Sequence, residues 1–180
     1  IMAEIMDYSE RMMRLMLQKL PDGEARFEDF LDGDGIIEDG QDDDEIFWVR
    51  MRIKKQGDTI EVDFKGSDPK VPGPINSPLS VTASGVFTAL KMVIDPNSLI
   101  PPNSGAWRPI TVTAPKGSCV NAEFPSPVVY ANHEMSHRVC DMTFGALSQF
   151  MPNNVMACSQ GTSAIVNFGG QDPRNGNRYV

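Results

Sequence analysis

Residues 130–170 hold the densest group of side chains able to do chemistry. Asn132, His133, Glu134, Ser136, His137, Arg138, Cys140 and Asp141 fall within one short stretch, and Ser159-Gln160-Gly161-Thr162 follows it. His133 and His137 are the only histidines. Four apart on a helix they share a side, a spacing suited to a metal pair with Cys140 or Asp141 as third ligand. The competing reading has both imidazoles hydrogen-bonding along a polar helix face. A zincin site is not expected from these residues. Arg138 and Asp141, three apart, make either a simple surface pair or leave Arg138 as a fork for a carboxylate or phosphate. Residues 159–162 set hydroxyl and amide groups beside a flexible glycine, which suits carbonyl or oxyanion recognition and equally a plain turn. No GxxxxGK[ST] or GxGxxG occurs, and no nucleophile elbow or Ser/His/Asp order stands out.

These residues need elements to position them. From Asn132 a helix to about Phe150 fits, with Met135, Val139, Met142, Ala146 and Phe150 along one face and Pro152 as its stop. Upstream, residues 1–20 repeat apolar side chains at Ile1, Ile5, Tyr8, Met12, Leu15, Met16 and Leu20, a helix with that stripe toward the core. Residues 25–30 read as a short strand. Residues 46–53 and 59–64 alternate in period two across Gln56-Gly57-Asp58, a hairpin. A proline-rich loop follows (Pro69, Pro72, Pro74, Pro78), stiff enough to line a cleft. Residues 80–94 read as a helix burying Val86, Phe87, Leu90, Val93 and Ile94, and residues 109–114 as a strand. The order of elements is α+β, with mixed hairpins and helices joined by long proline-rich loops.

The 180 residues suit one domain, and 41% hydrophobic with 22% charged residues is ordinary for a globular protein. A net charge of −8 argues against nucleic acid, although much of it sits in the acidic run at 39–45, read as a solvated loop. No apolar run approaches the roughly 20 residues that span a bilayer, so neither a signal peptide nor membrane association is expected. Asp32-Gly33-Asp34-Gly35 fails as a calcium loop because Ile36 stands where an oxygen ligand is needed. Cys119, Cys140 and Cys158 make no disulfide framework and favour the cytoplasm. A three-thiolate zinc site is the alternative to three small buried hydrophobes. The chain opens at Ile1 inside a helical pattern and closes without a stop signal, so a single domain continuing beyond both ends is expected.

Five ordered blocks carry a resemblance. They are Asp63-Phe64-Lys65-Gly66-Ser67, Gly73-Pro74-Ile75-Asn76-Ser77-Pro78-Leu79, residues 109–117 (PITVTAPKG), Asn132-x-Glu134-x-Ser136-x-Arg138 and Ser159-Gln160-Gly161-Thr162. With Leu20-Pro21-Asp22-Gly23 and Phe27-Glu28-Asp29 they make the whole chain resemble the hydantoinase B family. That family includes the B component of N-methylhydantoinases, the C-terminal half of 5-oxoprolinases, and subunits of acetone and acetophenone carboxylases.

The resemblance implies a component of an ATP-dependent cyclic-amide hydrolase. Its partner would be an A-type hydantoinase protein with an actin-like ATPase fold, which binds the ATP and activates a carbonyl oxygen. The alternatives are a component of a ketone carboxylase using bicarbonate, or a structural and assembly module of such a complex. It further implies a divalent metal held by ligands upstream of these residues, and none within them. Where the family reads roughly N-V-E-T-S-Q-R, this chain has His133, Met135 and His137 at the variable positions. The expected catalytic residues are therefore Glu134 and Arg138, with Asn132, Ser136, Ser159, Gln160, Gly161 and Thr162 contacting a small cyclic amide or ketone. His133 and His137 stay as metal candidates of second rank.

Overall fold

A computed structural model describes residues 1–36, 46–166 and 168–179. The architecture is α+β, with four helices and a mixed four-stranded sheet among the described residues. The acidic run at 39–45 lies outside the described residues.

β1 (Gly23–Asp32) pairs antiparallel with β2 (Ile46–Gln56), and β2 with β3 (Thr59–Asp63). Gly57 holds φ +59° in the tight turn between β2 and β3, a conformation that costs glycine little. Period-two alternation sends Ala25, Val49, Met51, Ile53, Ile60 and Val62 into the core. Lys55 continues that buried row at the strand end. Its ammonium donates to Leu20 O at 2.6 Å and Asp22 Oδ1 at 2.7 Å, which keeps a buried cation paired. The same hydrogen bond, with one from the Gly57 amide, holds the Asp22 carboxyl below its ordinary range.

The sheet departs from a run of hairpins at its far edge. β4 (Ile110–Thr113) pairs parallel with β3, in register Ile60 to Ile110 and Val62 to Val112. Parallel neighbours need a crossover, and α2 (Leu79–Ile94) supplies it. The helix buries Val86, Leu90, Val93 and Ile94, as its spacing predicts, together with Thr82, Gly85 and Ala89, while Phe87 is half-buried and stacks on Trp107.

α1 (Met2–Leu17) forms where expected but turns a different face inward. Its buried residues are Ser9, Met13 and Leu17; of the expected stripe, Met12, Met16 and Leu20 pack at the margin of the core, while Ile1, Ile5, Tyr8 and Leu15 stay exposed. The short helix α3 (Ser104–Trp107), which the sequence does not announce, sets this rotation. Gly105 lies so close to α1 that a Cβ there would meet Met6 O at 2.0 Å. Asn103 Nδ2 donates to Ser9 Oγ at 2.8 Å, and Arg108 bridges Asp7 and Glu10 at 2.7 and 2.9 Å. Backbone approach and polar pairing thus outweigh the apolar stripe.

The proline-rich loop is held from inside. Asn76 is fully buried; its Oδ1 accepts from Val71 N at 2.8 Å, and its Nδ2 donates to Val71 O, Gly73 O and Pro127 O at 2.8–3.0 Å. Asp34 serves the same layer as a loop anchor, accepting from the Ile36 amide and from Gly73 N at 2.6 Å. α4 (Ser136–Ser148) packs across α2 and onto β1 and β2, closing the core with Val139, Met142, Ala146 and Leu147.

Candidate functional site

The expected helix from Asn132 does not begin as an α-helix. Ala131–Met135 is π-helical, closed by Ser136 N donating to Ala131 O, and runs directly into α4. Such turns widen the helix by one residue and recur at functional sites. Tyr130 N donates to Pro74 O at 3.0 Å, which ties the turn to the stapled proline loop. Below it, Met135 and Val139 are fully buried, so the polar residues are left on the outer faces.

The segment 158–164 lies along those faces and is joined to them residue by residue. Thr162 Oγ1 donates to Glu134 Oε1 at 2.7 Å. Ser163 N donates to His133 O at 3.0 Å, and Ser163 Oγ stands 3.2 Å from His137 Nε2. Asp141 accepts from Ser159 N at 3.1 Å and from Ser159 Oγ at 2.9 Å. Gln160 turns back onto the segment, its Nε2 donating to Thr162 O at 2.9 Å. Gly161, at φ +74°, presses on the Arg138 guanidinium, where an added Cβ would meet Cζ at 2.9 Å.

Arg138 does not pair with Asp141. Its Nη1 donates to Asp29 Oδ2 on β1 at 3.0 Å, and its Nε is buried without a hydrogen-bond partner. Glu134 and Arg138, the two expected catalytic residues, are both engaged by protein groups and do not line the adjoining cavity.

That cavity is a groove of about 560 Å³ between α2 and α4. Val81, Met92, Phe144 and Met156 give it apolar walls, and Asn132, Ser136, His137, Asp141 and Ser159 give it polar ones. Gly85 lets α2 approach α4 closely, since a Cβ there would meet Ser136 O at 2.8 Å. Of the eight expected site residues, Asn132, Ser136 and Ser159 therefore face the groove. The other five form the lattice behind it.

Residues 133–137 (HEMSH) satisfy the HExxH spacing of a zincin. The geometry argues against that use. The first histidine lies in the π-turn, Glu134 is taken by Thr162, and His137 meets Ser163. Among the described residues no three His, Cys, Asp or Glu side chains are grouped to hold a metal ion. The three-thiolate alternative is not formed either. Cys119 is buried in the loop layer, its thiol pushed up to about 12 by burial, while Cys140 borders the groove and is pushed up to about 11 by burial. Cys158 Sγ contacts Asp141 O at 3.6 Å.

Asp29 is the partner that sequence reasoning missed, although a signal existed. On β1 it stands in the inward row of Ala25, Phe27 and Leu31, and a carboxylate in such a row needs a cation.

The chain is similar to known proteins in sequence and in fold. A family model described as hydantoinase B/oxoprolinase matches residues 1–180. The chain is 37% identical over 177 residues to the putative B-type component of a D-/L-hydantoinase from Pseudomonas sp. (strain NS671), covering 96% of this chain and 29% of that protein. It is 32% identical over 132 residues to 5-oxoprolinase 1 of Arabidopsis thaliana, covering 73% of this chain and 10% of that protein. The crystal structure of an ATP-dependent caprolactamase from Pseudomonas jessenii superposes with a TM-score of 0.76 at 31% identity, over 98% of this chain and 29% of that one. The chain thus spans less than a third of the length of these relatives. No helix among the described residues is long and apolar enough to cross a membrane.

Proposed function

The chain belongs to the hydantoinase B/oxoprolinase family, and from that premise we propose that it forms part of the substrate-holding component of an ATP-dependent cyclic-amide hydrolase. The groove between α2 and α4 carries the reading, because it joins three of the expected substrate contacts in one cavity of small-molecule size. Hydantoins, caprolactam and oxoproline, the compounds in the relatives' names, are all cyclic amides.

We assign ATP to an A-type partner. The similarity to a B-type hydantoinase component and to an ATP-dependent caprolactamase supports that division. The divalent metal implied by the family has no fitting donor set among the described residues, and no step is assigned to it. This chain's own part is to hold the amide while its carbonyl oxygen is activated from the partner's side. Asn132, Ser136 and Ser159 contact the substrate. Glu134 and Arg138 act through others: Glu134 fixes Thr162, and Arg138, held by Asp29, supports Gly161. Both are positioning residues.

The test is turnover by the full-length protein with its ATPase partner. ATP hydrolysis and ring opening should appear together, and only when both proteins are present. Glu134→Ala should lower kcat about tenfold, the rate equivalent of one hydrogen bond to a charged group, with KM for ATP unchanged. Glu134→Gln, which keeps an oxygen for Thr162, should restore most of it. Unchanged turnover in Glu134→Ala would remove the positioning role. Lasting carbon gain from bicarbonate and a ketone would move the protein to the carboxylase class. Absence of any ligand contact with residues 130–170 would leave it an assembly module.

A further inference from the structure

Resting on that reading, we propose that the groove selects cyclic amides that carry no charge, and that Asn132 reads the edge of the ring amide. The side-chain amide of Asn132 has no partner among the described residues; only its main-chain oxygen is used, by Ser136 Oγ at 2.9 Å. A carboxamide offers one acceptor and two donors in a planar fork. Ring closure holds a lactam or hydantoin amide cis, so its N–H and C=O lie on one edge and can pair with both arms of that fork. An open-chain secondary amide is trans and presents the two groups on opposite edges, so it can use only one arm.

Charge settles the rest of the substrate. Among the described residues no Lys or Arg lines the groove, and the one carboxylate that does, Asp141, is 7% exposed and already engaged by Ser159. A ligand carboxylate placed there would lose water beside a like charge, with no Lys or Arg to receive it and with His137 Nε2 already set against Ser163 Oγ at 3.2 Å. Met92, Phe144 and Val81 instead offer apolar surface to ring methylenes or an alkyl substituent. Arg138, the nearest cation on α4, is turned away toward Asp29.

Two lactams that share a five-membered ring test this: 5-butyl-2-pyrrolidone, which is neutral, and 5-oxoproline, which carries a carboxylate. Binding of each to the full-length protein in complex with its ATPase partner is measured by isothermal titration. The neutral lactam should bind more than about tenfold tighter. Asn132→Asp, which loses the donor arm, should weaken it about tenfold, and Met92→Lys should improve 5-oxoproline binding about fivefold. Equal or tighter binding of 5-oxoproline by the unaltered protein overturns the selectivity, and unaltered binding in Asn132→Asp overturns the role of that residue. Preferred opening of 5-oxoproline would overturn the selectivity while leaving the hydrolase reading standing. Failure to open either ring with ATP would remove the hydrolase reading, and the binding ratio would still judge the groove.

Discussion

Asn76→Ala should cost the chain about 4 kcal/mol of stability, the sum of several buried hydrogen-bonding groups left unmet at roughly 1–3 kcal/mol each. The amide of Asn76 bonds Val71, Gly73 and Pro127 together, and it is sealed from water. Removing it leaves Val71 N without its acceptor and three carbonyls without their donor. Pro74 O sits within the same loop and receives Tyr130 N, so the loss should pass to the π-turn that carries Asn132. Asn76→Asp tests the mechanism. It keeps the acceptor for Val71 N but faces a carboxylate toward three carbonyls, so it should be at least as damaging. Urea unfolding measures both, and a loss below about 1 kcal/mol for Asn76→Ala would mean that the loop is held by something else.

The second large effect is on activity. Gly161→Ala should lower turnover of the complex about 100-fold while the overall fold is retained. Two costs combine there. A side chain at φ +74° carries a left-handed penalty of about 1–2 kcal/mol, and its Cβ would strike the Arg138 guanidinium. Arg138 cannot yield freely, because Asp29 holds it from the sheet side. The segment 158–164 must therefore lift, taking Ser159 out of the groove and Thr162 from Glu134. Steady-state kinetics with a cyclic amide gives the result, and circular dichroism confirms the retained fold. Activity within about threefold of the unaltered protein would show that this contact does not position the site.

The element types were legible because each rests on local periodicity. The β2–β3 hairpin, α2 and the apolar face of α4 follow from spacing alone. What failed depended on distant partners. The apolar stripe of α1 predicted its buried face, yet Gly105 and Asn103 of α3 decided it through a backbone contact and a hydrogen bond that no helical pattern contains. β4 read as a strand, but nothing in residues 109–114 states that it joins β3 in parallel. The site divides the same way. Asn132, Ser136 and Ser159 were identified and do line the groove. Glu134 and Arg138 were identified by motif, whereas their engagement by Thr162 and Asp29 needed the third dimension. The walls of the groove on α2, Val81 and Met92, lie off the apolar face that the spacing marks and were not singled out.

The parallel β3–β4 edge also bears on the order in which the chain assembles. β2 and β3 meet across a tight turn, so their pairing closes a very short loop. β4 can join β3 only after the long segment containing α2 has folded back, a closure of roughly 50 residues that costs about 3 kcal/mol in chain entropy. Long-range parallel pairing is slow for this reason. The antiparallel ribbon should therefore gain protection first in pulse-labelled hydrogen exchange, with the amides of Ile60 and Phe64, which donate across the parallel edge to Pro109 O and Thr113 O, lagging behind those of Thr59 and Glu61, which face β2. Simultaneous protection of all four would mean that the sheet forms in one step. If the ribbon leads, β3 spends part of folding as an open edge, and the crossover helix is the element whose docking closes it.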